Sequence, residues 1–153
     1  MDKTEFKNLT TKIYEEYGFV KKGKYYYLNL KDVLICSGVL NTYNYSFLAY
    51  NISLKAIHSD QEYKNNMFDG FDCHAIDMYY TPNTDGYLKK ALYYEKYSAE
   101  EYCKRLSKIL KKYFDPFKEN AIEHIKKCYK SVGLIIEKDI IMLSKAAREY
   151  LEL

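Results

Sequence analysis

Three groups of residues in this chain have side chains able to do chemistry. The first is acidic: between residues 60 and 86, Asp60, Glu62, Asp69, Asp72, Asp77 and Asp85 stand against Lys64 alone. Converging carboxylates could act as acid and base or hold a cation. Residues 69–85, however, lack the alternating acids and closing glutamate of a calcium loop, so a solvated acidic rim is the plainer reading. The second group is thiols and imidazoles. His124 and Cys128 lie four apart on an expected helix and so share a face, and Cys73-His74 adds a looser cluster beside Asp72 and Asp77. Zinc asks for three or four ligands from closely spaced pairs, and Cys36, Cys73, Cys103 and Cys128 form no CxxC. No glycine-rich elbow or helix-start cysteine activates a nucleophile, and neighbours such as Cys73 and His74 point to opposite faces of a strand. These residues read as reduced thiols and ordinary histidines, with no metal, no cofactor and no disulfide framework. The third group is basic and aromatic: Lys21, Lys22, Lys24 and Lys31 surround Tyr25, Tyr26 and Tyr27 with no acid between residues 18 and 31.

Composition sets the weight of that third group. The chain has 19 tyrosines and no tryptophan in 153 residues, and 22 lysines against two arginines, Arg105 and Arg148. Abundant Tyr, Lys, Asn and Ile with scarce Arg and Trp is the signature of AT-rich codons, so tyrosine number alone does not mark a recognition surface. A net charge of +3 is too small to imply a polyanion partner. Single-stranded nucleic acid could stack on tyrosines of the 21–31 hairpin, but the near absence of arginine for bidentate readout disfavours it. No phosphate-cradling glycine loop is present. No apolar run reaches the roughly 20 residues of a membrane span, and the charged start Met1-Asp2-Lys3-Thr4-Glu5 is unlike a secretory signal. The expected compartment is the cytoplasm.

The elements that must position these residues follow from hydrophobic period. Phe6, Leu9, Ile13 and Tyr17 recur at helical spacing, and Gly18 stops the helix. Tyr26, Leu28 and Leu30 then alternate with Tyr25, Tyr27 and Asn29, which is a strand. A turn at Lys31-Asp32 leads into the apolar strand Val33–Asn41, and another at Thr42–Ser46 into 47–58, where Tyr50, Ile52, Leu54 and Ala56 share one face. Residues 59–70 are a loop or short helix, Phe71–Thr81 returns to strand, and Pro82–Gly86 is a turn before Tyr87–Tyr97, most simply a fifth strand, with a helix over Tyr87–Ala91 as the alternative. Ser98-Ala99-Glu100-Glu101 is a capping box. It opens a helix with the stripe Tyr102, Leu106, Ile109, Leu110 and Tyr113, ended by Asp115-Pro116. Ile122, Ile125 and Tyr129 mark a third helix closed by Gly133, and residues 137–151 supply a fourth through Ile140, Ile141, Ala147 and Leu151. The expected fold is one α+β domain over residues 1–153. It has a helix over 1–17, an antiparallel meander of four to five strands within 19–97, and three helices within 98–153 packed on one sheet face.

The opening helix running into Gly18-Phe19, then Lys21-Lys22-Gly23 and an aromatic at Tyr25 or Tyr27, resembles the start of a bacterial group of domains, the domain of unknown function 4304 group. Phe114-Asp115-Pro116-Phe117 is similar to that group's helix-ending proline segment. The resemblance covers most of residues 3–120 and implies an antiparallel sheet followed by helices. It departs at Cys36-Ser37-Gly38, where a Gln-Ser pair is expected, and in having no tryptophan.

If Tyr26, Leu28, Ile52 and Leu54 face the core, the pleat turns Tyr25, Tyr27, Asn29, Asn51, Ser53 and Lys55 outward as a recognition surface. The functional expectation is a protein-interaction domain rather than an enzyme, with an immunity-type inhibitor that occludes a toxin-like partner as its most specific form. Tyr25, Tyr27, Asn29 and Tyr79 would supply contacts, and Asp69, Asp72 and Asp77 would steer a basic partner. The alternatives are a small-ligand protein or enzyme with its site near residues 60–86, and a weak single-strand binder using the 21–31 hairpin.

Overall fold

A computed structural model describes residues 1–41, 46–58, 78–80, 94–130 and 142–153. The expectations for the loop at 59–70, the turn at 82–86 and the stop at Gly133 fall outside those residues. Helix α1 (Lys3–Tyr17) begins at Asp2, whose Oδ1 accepts from the Glu5 amide at 2.8 Å. It ends at Gly18, whose φ of +124° only glycine adopts without strain. Its buried stripe is Phe6, Thr10, Ile13 and Tyr14, whereas Leu9 and Tyr17 are only half-buried. A polar residue enters that stripe because its hydrogen bonds are met. The Thr10 hydroxyl donates to the Phe6 carbonyl at 2.7 Å and accepts from the Tyr102 hydroxyl at 2.5 Å.

The sheet is antiparallel in simple meander order, and the described residues form six strands rather than four or five: β1 (Val20–Lys22), β2 (Tyr25–Asn29), β3 (Val33–Asn41), β4 (Ser46–Leu54), β5 (Met78–Tyr80) and β6 (Met142–Leu143). Strand β1 is additional to the expected set. Gly23-Lys24 closes a two-residue hairpin turn between Lys22 and Tyr25, with Gly23 at φ +65°. The central pair β3–β4 keeps register over nine residues, from Val33↔Leu54 to Asn41↔Ser46. The expected strand over 47–58 stops at Leu54. Lys55–Ile57 turn into a 3-10 helix, which leaves Ala56 exposed instead of inward.

Helix α2 (Ala99–Lys130) starts where Ser98 Oγ accepts from the Glu101 amide at 3.2 Å. Its stripe Tyr102, Leu106, Ile109, Leu110 and Tyr113 is buried throughout. Pro116 does not end it. Phe114 and Phe117 are buried on either side of the proline and hold that turn against the sheet. The break comes at Asn120 (φ −160°, ψ 97°), whose Oδ1 accepts from the Glu123 amide and caps the second segment. The expected fifth strand over 87–97 is also corrected where it is described, since Tyr94–Lys96 form a 3-10 turn leading into α2. Helix α3 (Lys145–Leu151) is shorter than the expected 137–151. Met142–Leu143 pair with β5, and Ser144 Oγ then caps α3 by accepting from the Ala147 amide at 3.1 Å.

One aromatic core joins the helices to the sheet face carrying Tyr26, Leu28, Val33, Ile35, Leu48, Tyr50, Ile52 and Leu54. Tyr14 stacks on Tyr26 at 4.1 Å, Phe19 meets Phe114 edge-on at 5.1 Å, and Tyr50 meets Phe114 at the same separation. The Tyr14 hydroxyl, fully buried, donates to Ser37 Oγ at 2.9 Å, and Ser37 donates on to the Ala49 carbonyl at 2.9 Å. The opposite face does not match its expected exposure. Leu34, Cys36, Ala49, Asn51 and Ser53 are all buried there, Asn51 to 1%. The alternation of polar with apolar residues in β4 predicts a wet face there, and burial overrides it.

Candidate binding groove

The groove with a concentrated set of functional groups lies between α1 and the β1–β2 hairpin. Its volume is about 360 Å³, within the range of ligand pockets. Lys7 of α1, Lys21 of β1 and Lys24 of the hairpin turn form its cationic rim, and among the described residues no Asp, Glu, His or Cys lines it. Phe6, Tyr25, Tyr26 and Val39 supply apolar walls. The arrangement follows from local rules. The register Lys21↔Tyr26 puts Lys21 beside a tyrosine whose ring is stacked on α1, while helical spacing brings Phe6 and Thr10 to the same face. Thr10 is already committed to Phe6 and Tyr102, and the Tyr26 hydroxyl pairs with Thr11 Oγ1 at 2.7 Å. The remaining groove chemistry is ammonium charge plus aromatic contact. It can hold an anionic group beside an apolar one.

Tyr25 is the sequence-derived candidate that the structure places in this groove. It is half-buried, and its ring lies across Gly38, where an added Cβ would come within 2.9 Å of Tyr25 Cδ1. Tyr27, two residues further along β2, shares the Tyr25 face of the sheet; it is half-buried, paired with Cys36 and with Lys22 Nζ 5.8 Å from its ring centre. Asn29 is exposed and accepts a hydrogen bond from Lys55, which also donates to the Leu30 carbonyl. Tyr25 and Tyr27 share one strand with Asn29, but Asn51 and Ser53 are buried and do not extend them into an open surface. Tyr79 belongs to β5, opposite Asn51 in the ladder. Asp69, Asp72 and Asp77 lie outside the described residues. Lys7 was missed by sequence reasoning, since only the packing of α1 on the hairpin brings it to Lys21 and Lys24.

The other candidate groups sit elsewhere. His124 and Cys128 do meet, with Cys128 Sγ 3.6 Å from His124 Nε2, and the imidazole packs edge-on against Phe117 at 4.6 Å. Among the described residues no cluster of three or more His, Cys, Asp or Glu could hold a metal. Burial pushes the Cys103 thiol up, opposite to the direction that makes a nucleophile. A second hollow of about 260 Å³ near Asp32, Lys55 and Tyr150 is of mixed charge, with Lys55 engaged by Asn29 and Leu30. No helix among the described residues is long and apolar enough to cross a membrane. No protein-family model, curated protein or solved structure matches the chain.

Proposed function

We propose that the chain is a protein-interaction module that works by stoichiometric occupancy, and that the groove between α1 and the β1–β2 hairpin is its contact surface. The observation that carries this reading is a rim of three lysines around an aromatic wall, with no acid among the described residues of the lining. Such a surface attracts an acidic partner segment and anchors an apolar side chain beside the charge. The charge sense differs from a scheme in which Asp69, Asp72 and Asp77 steer a basic partner, because the described concave surface is cationic. An immunity-type inhibitor of a toxin-like partner is the most specific form of the proposal. A photo-crosslinking residue placed at Lys24 in the native host should trap a partner, and Lys7→Glu with Lys21→Glu should abolish the adduct. An adduct of unchanged yield in the charge-reversed protein would defeat the reading.

Single-stranded nucleic acid is the second reading, favoured by Tyr25 standing beside Lys21 and Lys24. It requires affinity for oligothymidylate that falls steeply with salt and drops when Tyr25 is replaced by Ala.

A further inference from the structure

The groove opens beside a sheet edge. Strand β1 is the first in the ladder and pairs with β2 alone, and among the described residues no hydrogen bond crosses its outer side. All three of its residues are exposed, including Val20 at 59%. An antiparallel strand bonded on one side turns alternate N–H and C=O groups outward, where they form a template for another chain. Its side chains show which chain could use that template. A second copy of β1 would set Lys21 and Lys22 against their own counterparts, and like charges facing across strands repel. An extended acidic segment meets the opposite situation, with Lys21 and Lys24 on the groove side and Lys22 near Tyr27 on the other.

We infer that the β1 edge is a strand-addition site for an extended acidic segment of a partner protein, with alternate side chains of that segment entering the lysine-rimmed groove. The inference rests on the groove being a protein-binding surface and specifies how it binds. Main-chain pairing to β1 provides affinity, and the groove selects acidic or apolar residues at every second position. Val20 covers the other face of the added strand.

The test uses the full chain and a short fluorescein-labelled peptide alternating glutamate with valine, followed by fluorescence polarisation. Two further peptides carry backbone N-methyl groups on odd or on even residues. Because one edge of an added strand pairs with β1, methylation in one register should weaken binding about tenfold or more while the other register leaves it near the parent value. Lys21→Glu with Lys24→Glu should lose the glutamate peptide and gain a lysine–valine peptide of the same length. Equal sensitivity of both registers, or of neither, overturns strand addition while leaving the groove as an acidic-ligand site. Failure of the unmodified glutamate peptide to bind the wild-type chain overturns both readings. Preference of the wild-type chain for oligothymidylate over the peptide overturns the protein-partner assignment. Circular dichroism of the charge-reversed chain checks its fold, which exposed lysines at an edge do not support.

Discussion

Asn51 offers a sharp test of the physical reasoning. It lies in β4 between Cys36 of β3 and Tyr79 of β5, is 1% exposed, and neither its Nδ2 nor its Oδ1 has a hydrogen-bond partner among the described residues. A buried polar group left unpaired costs about 1–3 kcal/mol. Leucine is close in size and carries no polar atom, so Asn51→Leu removes that cost. The change of shape in a packed layer returns up to about 1 kcal/mol. The expected net gain is about 1–2 kcal/mol, read as a rise in urea midpoint at constant slope and an increase in Tm of roughly 2–8 °C for a chain of this size. Asn51→Ala is the control that separates the two contributions, because it removes the amide but leaves a cavity and should gain less than leucine. A loss of more than about 1 kcal/mol in Asn51→Leu would show that the amide is satisfied in the native protein, and the account of the second sheet face would fall with it.

Thr10→Val strips the Tyr102 hydroxyl of its acceptor and should cost about 1–3 kcal/mol, with Tyr102→Phe in the same chain recovering much of the loss in a double-mutant cycle. Lys118 donates to the Tyr17 carbonyl at 2.9 Å and stands 3.7 Å from the centre of the Tyr17 ring, so Lys118→Met should cost about 0.5–1.5 kcal/mol in chemical denaturation. Burial raises the phenols of Tyr14, Tyr17, Tyr26 and Tyr102 above the ordinary value of 10.0, and the Asp115 carboxylate adds to the rise at Tyr17. Groups raised in the folded state contribute in full below the unfolded phenol value and lose that contribution as pH climbs through the folded one. Stability should therefore decline above about pH 10, with these phenolates appearing in the ultraviolet spectrum only as the chain unfolds. Gly38→Ala should displace the Tyr25 ring, and an unaltered Tyr25 ring environment by NMR would contradict the contact.

Periodicity and caps made much of this fold legible in the sequence. Gly18 as a helix stop, Ser98 as a cap, the stripe from Tyr102 to Tyr113, and the central strand Val33–Asn41 all stand where local patterns put them. The misses share a cause, which is that distant partners reversed a local signal. Pro116 should break a helix on its own, but Phe114 and Phe117 bury the turn around it, and the break moves to Asn120. Tyr14 is absent from the expected stripe because its place depends on Tyr26 and Ser37. Asn51 and Ser53 alternate with apolar residues as a wet face would, and burial of that face is invisible to alternation. For the groove, Tyr25 and the hairpin lysines could be read from residues 21–25. Lys7 could not, because nothing local links α1 to that hairpin.

The bonds that close α1 onto the rest of the protein reach far along the chain. Thr10 meets Tyr102 across 92 residues, Tyr17 meets Asp115 across 98, and Lys118 meets Tyr17 across 101. During synthesis the N-terminal half thus leaves the ribosome with its largest aromatic surfaces uncovered, and waits for α2 before that surface can be sealed. Non-local closure of this kind slows folding and prolongs exposure to aggregation. Nascent chains stalled before Tyr102 should accordingly remain sensitive to protease along α1, while chains extended past Lys118 become resistant.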